Sequence, residues 1–321
     1  MSRRFIQQLG DRENVDEVYL ASEKQLRTNR NGQLYLQVRL SDRTGSMTGM
    51  MWNVKEQAYD RFENGDYLRV QGAAQCYNGA MQMILKQVDR IAVESIEPAD
   101  FVTMSDNEVD RLAARLAEIL RQLSNEPLRN LAECFLMDEA LMKQLRRAPA
   151  GVKNHHAYHG GLLEHIVHLL EAALAMTPLY PQVNPELVLL GVFLHDLGKV
   201  RELTYQRELG YSDEGQMIGH LVIGVEILNE KIRKTEELTG EPFPATLKLH
   251  LQHLILSHHG EYEFGSPKLP MTLEAVMLHQ LDDLDAKIHH IDQLIQNDAS
   301  PSGSWTSYHA SLRRKFYKGG V

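Results

Sequence analysis

Cysteine is nearly missing from this chain. Cys76 and Cys134 are the two in 321 residues, too few for a disulfide framework or a thiolate metal cluster. Long apolar runs are missing as well. The longest, Leu187 to Leu194, falls far short of the roughly 20 residues a membrane helix needs. The opening "MSRRFIQQLGDREN" carries two arginines with no apolar stretch behind them, which argues against a secretory signal. The expectation is a cytoplasmic protein without a membrane span. Positive charge is in deficit too, the net charge being −9. A polyanionic partner therefore needs a local basic patch. The final "LRRKFYKGGV" is such a patch, although a solvated tail is the favoured reading of it. Histidine has the most uneven distribution: none precedes His155, and all 15 fall between His155 and His309. The two halves are expected to do different chemistry.

Residues from about 12 to 97 read as short strands. In "GQLYLQVRLSD", Leu34, Leu36, Val38 and Leu40 share one face, and Tyr35, Gln37 and Arg39 share the other. "DRTGSMTGMMWN" supplies a turn and another strand, and "GDYLRVQGAAQCYNGAMQMILKQVDRI" supplies two more around a Tyr77-Asn78-Gly79 hairpin turn. Five or so short strands with Gly45, Gly49, Gly65 and Gly72 among them predict a small closed barrel.

From Ser105 the period becomes helical. Ser105 and Glu108 have capping-box spacing ahead of "VDRLAARLAEILRQL". Pro127 interrupts, and "LRNLAECFLMDEALMKQL" reads as the next helix. Further helical patterns follow in "GGLLEHIVHLLEAALAM", "PELVLLGVFLHDL", "GHLVIGVEILNEKI", "TLKLHLQHLILSHH" and "LEAVMLHQLDDLDAKIHHIDQLI". Asn184 before Pro185 is a helix start.

Each of these last five patterns carries histidine or aspartate among apolar neighbours: His165, the His195-Asp196 pair, His220, the His258-His259 pair and the run Asp282-Asp283-Leu284-Asp285. One buried histidine is ordinary core chemistry. Five inward polar positions are costly unless they pair or bind metal, so convergence on one point is expected. Imidazole and carboxylate without thiolate suit Mn, Fe, Mg, Zn or Co. Six or seven candidates exceed one tetrahedral ion, which points to two ions with Asp196 as a bridge. Lys199 is placed to meet a phosphate or aid the leaving group, though helix C-terminal lysines are also common. His258 is the firmer of its pair, because adjacent helical side chains diverge. His155, His156 and His159 are candidates for a substrate entrance.

The series "GGLLEH", "HDLGK", "GH", "SHHG" and "LDDLDA" resembles the HD-domain metal-dependent phosphohydrolases. That resemblance implies metal ligation by His165, His195, Asp196 and Asp282, with His220, His258 and His259 added in dinuclear members. Asp282 is preferred to Asp285 as the first aspartate of "D-x-x-D-A". Together with a barrel in front, "NHHAYHGGLLEHIVHLL" and "GVFLHDLGKVREL" resemble the YhaM-type 3′–5′ exoribonucleases, which join an OB-fold to an HD domain. The implied fold is multidomain α+β: an OB-fold over 1–97, a helical linker over 98–150 and an all-α HD bundle over 151–321. The implied activity is metal-dependent, commonly manganese-dependent, release of nucleoside monophosphates from the 3′ end of single-stranded RNA, with DNA left open. Asp196 and Lys199 are then the catalytic candidates.

An OB-fold binds single strands by stacking bases on aromatics and pairing cations with phosphates. Tyr35, Arg39, Trp52, Tyr67, Arg69, Tyr77 and Lys86 are the candidates. Two other readings stand beside the exonuclease: an HD phosphohydrolase of free or cyclic nucleotides, and a non-catalytic single-strand binder. A homo-oligomer is also in view, because "LEAVMLHQLDDLDAKIHHIDQLIQ" offers a self-packing face.

Overall fold

The computed structural model describes residues 3–77, 80–97, 100–101, 104–151, 158–205, 210–296, 298, 303–310 and 312–319. Five strands, β1 (Asn14–Thr28), β2 (Leu34–Asp42), β3 (Gly45–Trp52), β4 (Tyr67–Tyr77) and β5 (Ala80–Ile91), close a barrel in the order β1-β2-β3-β5-β4. The β3–β5 pair is parallel and the other pairs are antiparallel. Leu36, Val38 and Leu40 of β2 point into a core shared with Tyr19, Leu68, Val70 and Met83, as their period of two requires. Asn78 and Gly79 of the expected hairpin turn lie outside the described residues.

The helices are α1 (Asp106–Arg121), α2 (Glu126–Leu136), α3 (Glu139–Leu145), α4 (Gly161–Met176), α5 (Pro185–Leu194), α6 (Lys199–Glu202), α7 (Asp213–Met217), α8 (His220–Thr239), α9 (Ala245–Ser257) and α10 (Leu273–Gln296). A two-residue ribbon, β6 (Leu203–Thr204) with β7 (Gly210–Tyr211), follows α6. Ser105 caps α1 by accepting from Glu108 N, and Asn184 caps α5 by accepting from Glu186 N and Leu187 N. The stretch expected as one helix after Pro127 is two, α2 and α3. Asp138 accepts from Leu141 N at 3.0 Å and starts a new helix there, as a capping carboxylate does.

Among the described residues two compact units emerge: one holds those up to 101 and those from 291 on, the other holds 104–205 and 210–290. These differ from the expected boundaries in two ways. Residues 104–150 are not a linker but part of the helical core, where Leu112, Leu116, Leu131 and Phe135 pack with Leu162, Val188 and Phe193. The described residues from 291 on group with the barrel. Within the helical unit, α5 is buried at every position from Leu187 to Leu194, the mark of a central helix. Gly161–Leu179 is apolar and long enough to cross a membrane by composition, but here α4 is a core helix whose Leu162, Leu163, Ile166 and Leu170 are buried.

Candidate metal centre and nucleic-acid surface

Central helix α5 ends at His195, its C-cap, and delivers His195 and Asp196 to a fixed point inside the core. His165 arrives from α4, His220 from the first turn of α8, His258 and His259 from the end of α9, and Asp282 from α10. His165, His195, Asp196 and His258 are each at most 3% exposed. The ligand atoms of His165, His195 and Asp282 lie within 4.8 Å of one another, and so do those of His220, His258 and His259. Asp196 stands between the two groups. Its Oδ2 is 3.5 Å from His195 Nε2 and 3.8 Å from His165 Nε2. Its Oδ1 is 3.5 Å from both His220 Nε2 and His258 Nε2, is buried, and accepts no hydrogen bond.

Every imidazole is held from behind. The Nδ1–H groups donate to Val192 O for His195 (2.7 Å), Ile255 O for His258 (2.9 Å) and Phe264 O for His259 (3.0 Å). His165 donates to Asp285 Oδ2 and His220 to Glu202 Oε1, each at 2.9 Å. All five acceptors are carbonyls or carboxylates, so Nδ1 carries the proton and Nε2 faces inward. Facing Nε2 atoms, 3.4 Å apart for His165 and His195 and 3.2 Å for His220 and His259, need a shared proton or a cation between them. Oriented Nε2 donors, a backing acceptor for each, and an orphaned carboxylate oxygen between the two groups fit metal ligation. The structure brings together the seven residues singled out in the sequence: His165, His195, Asp196, His220, His258, His259 and Asp282. Past the α9 C-cap at His258, Gly260 takes φ 78° and donates its N–H to Ser257 O at 2.9 Å.

Asp285 thus positions His165, while Asp282 Oδ1 faces the centre, 3.3 Å from His165 Nε2. Lys199 Nζ donates to Asp196 Oδ2 at 2.6 Å; it is an ion-pair partner of the carboxylate that lies between the two groups. Sequence reasoning missed Glu202, which also accepts from His220 N at 3.0 Å. The signal was present only as a buried acid in "GKVREL". His168, Asp285 and His289 form a further group on the outer side of Asp285. His155 and His156 lie outside the described residues, and His159 faces Arg147 O.

Electrostatics follow from burial. Desolvation alone would raise the carboxyl of Asp196, but Lys199 and His195 hold it well below the usual range. Asp282 is lowered as well, chiefly by His165 against its own burial. Burial pushes His258 down to about 4 and lowers His259, so both are neutral donors at pH 7. His165 goes the other way: burial opposes its charge, yet Asp282 and Asp285 raise it to about 9.

On the barrel, the seven candidates divide. Tyr35 and Trp52 are paired across β2 and β3 with ring centroids 5.0 Å apart. Trp52 and Lys86 line one groove with Lys55, Gln57 and Arg61, and the last three were not foreseen. Arg39 lies on β2 and bonds Ser46 Oγ at 2.7 Å. Tyr67 instead packs edge-on against Phe101 at 4.7 Å, and Arg69 is forked onto Asp16 at 2.8 and 3.1 Å. Tyr77, at the end of β4, is 58% exposed.

The family described as HD domain matches residues 162–287, and the OB-fold nucleic acid binding domain matches residues 21–91. A 3′-5′ exoribonuclease YhaM of Geobacillus sp. (strain WCH70) is 33% identical over 292 residues, 90% of this chain and 86% of the relative. The chain belongs to the YhaM family. The second OB-fold domain of replication protein A from Methanococcus maripaludis is also similar, at 22% identity, covering 30% of this chain and 100% of that one with a TM-score of 0.24. The OB and HD architecture of this YhaM-family chain is as its motifs predicted. Its HD domain is of a metal-dependent kind, and its His/Asp clusters can hold metal.

One prediction for this YhaM-family site concerns pH. In the metal-free chain the His165 pKa is raised to about 9 from about 6.5 unfolded. That proton therefore stabilises the fold fully below about pH 6.5, and the benefit is lost as pH rises through about 9. An ion needs the neutral ring, so its affinity rises over the same window. Calorimetric titration with Mn in buffers of different ionisation enthalpy should show proton release near pH 7 that fades by pH 9.5. Absence of any release would contradict the charged His165.

Proposed function

We propose that this chain is a metal-dependent 3′–5′ exonuclease that hydrolyses single-stranded RNA, and also single-stranded DNA, to nucleoside monophosphates. The observation that carries the reading is Asp196, whose two carboxylate oxygens each face a separate group of imidazoles, one oxygen being buried and unbonded. His165, His195 and Asp282 would hold one ion, His220, His258 and His259 the other, with Asp196 shared. Manganese is the proposed metal, which this imidazole and carboxylate set accommodates.

Bound ions there would lower the pKa of a water and neutralise phosphate charge during in-line attack. The chain's own work is to position and polarise. Buried α5 fixes Asp196, Lys199 keeps it ionised, and the same ammonium adds positive charge where a phosphodiester gains negative charge. Support for a nucleic-acid substrate comes from the Tyr35–Trp52 pair beside Lys86, Lys55 and Arg61, the mixture of π-faces and cations that single strands favour. A second copy of the chain belongs to the proposal as well. Leu273, Val276, Leu284 and Ile288 of α10 are exposed at helical spacing on one stripe.

The test uses 5′-labelled single-stranded RNA and DNA with the metal-loaded protein. A ladder shortening from the 3′ end, with mononucleotide products, is expected. No shortening with Mn, Mg, Co or Fe would overturn the reading. Turnover of free or cyclic nucleotides without any effect on polymers would replace it with a nucleotide phosphohydrolase.

A further inference from the structure

The C-terminal basic stretch is not a solvated tail. Residues 304–310 and 312–318 fold back on each other, with bridges Trp305 to Tyr317 and His309 to Arg314. Thr306 N donates to Phe316 O at 2.8 Å and Lys318 N to Ser304 O at 2.8 Å. Lys318 Nζ is tied to Asp298 Oδ2 at 2.8 Å, an ion pair in which the Asp298 side chain is 2% exposed. The hairpin is therefore anchored at its open end.

Around these two bridges the side chains divide by exposure. Thr306 is buried and Phe316 half-buried, while Trp305 and Tyr317 stand opposite each other with ring centroids 5.2 Å apart. Trp305, Tyr308 and Tyr317 are 55%, 59% and 57% exposed. Arg313, Arg314 and Lys315 are exposed as well. Among the described residues Arg313 and Lys315 have no ion pair. No aspartate or glutamate occurs between residues 304 and 318. On a chain of net charge −9, three large exposed aromatic rings interleaved with unopposed cations form a local exception.

We propose that this hairpin is a second contact for single-stranded nucleic acid, outside the barrel, with Trp305, Tyr308 and Tyr317 stacking on bases and Arg313, Arg314 and Lys315 meeting phosphates. Charge complementarity selects a polyanion, and the flat exposed rings select one that carries bases, since every base has a π-face to stack. Folding as a hairpin sets the rings in advance, which limits the ordering cost of binding. The inference rests on the proposed action on single strands.

The experiment measures binding of a fluorescein-labelled single-stranded RNA of about 30 nucleotides by anisotropy, using the full chain kept from hydrolysis by EDTA. The variant Arg313→Asn with Lys315→Gln removes two charges and suits the fold, because Arg313 sits at φ 53°, a region asparagine tolerates. Its affinity is expected to fall about tenfold, and the slope of log K against log salt to shrink by about 1.4. Trp305→Ala should weaken binding about fivefold or more at every salt concentration. Affinity and slope unchanged in both, while Trp52→Ala with Lys86→Ala on the barrel weakens binding, would overturn the hairpin's role alone. An unchanged affinity with a lowered oligomeric state by sedimentation would also overturn it, in favour of self-association. If the unaltered chain binds no single strand at all, the proposed function itself fails.

Discussion

Replacing Asp196 with asparagine is expected to lower RNA hydrolysis by about a thousandfold or more, the equivalent of about 4 kcal/mol of transition-state stabilisation. Asparagine keeps the shape but removes the negative charge that both imidazole groups face, and with it the proposed bridge between two ions. The same change leaves Lys199, whose ammonium sits 2.6 Å from Asp196 Oδ2, without its nearest counter-charge. Breaking a buried pair from one side costs about 3–5 kcal/mol, so the metal-free variant should melt markedly earlier. The double variant Asp196→Asn with Lys199→Met separates the two effects: it should regain much of the stability and none of the activity. Single-turnover hydrolysis and thermal unfolding measure both. Activity within tenfold of the unaltered protein would remove Asp196 from the chemistry.

A single methyl group at residue 198 should damage the site nearly as much. A Cβ on Gly198 would lie 2.0 Å from His220 O and 2.8 Å from Gly224 N. Both are backbone atoms of the first turn of α8, so no rotamer change relieves the clash. The helix has to move, and it carries His220 away from His258 and His259. Overpacking of this kind costs about 1–3 kcal/mol, and a displacement near 1 Å can cost about a hundredfold in rate. Gly198→Ala is therefore expected to bind one Mn per chain, against the two proposed for the unaltered protein, as counted by elemental analysis. Two retained ions and an unchanged rate would show that α8 absorbs the methyl without disturbing His220.

Gly198 also shows where sequence reasoning reached its limit. In "HDLGK" a glycine invites the reading that the chain turns away from the site. Its φ is an ordinary −58°, and the demand for glycine comes from a helix 22 residues further on that approaches it closely. The positioning acceptors were hidden for the same reason. Glu202 lies 18 residues from His220, and Asp285 lies 120 from His165; only the packing of α4, α6, α8 and α10 makes them partners. On the barrel, Tyr67 and Arg69 alternate with apolar residues just as Tyr35 and Arg39 do. Phe101 and Asp16 engage the first two, while Tyr35 stays beside Trp52.

What the sequence determined by itself was local or compositional. Period two set the barrel face of β2, Ser105 and Asn184 marked helix starts, and the apolar neighbours of His165, His195, His220 and His258 marked those residues as inward-facing. Each of these depends on neighbours within a turn or two of chain, where spacing dictates geometry. Tertiary structure decided the rest. It put the two carboxylate oxygens of Asp196 between separate imidazole groups, joined residues 104–150 to the helical core, and folded the basic C-terminal stretch into a hairpin. Those outcomes depend on which distant surfaces exclude water together, and a linear pattern does not carry that information.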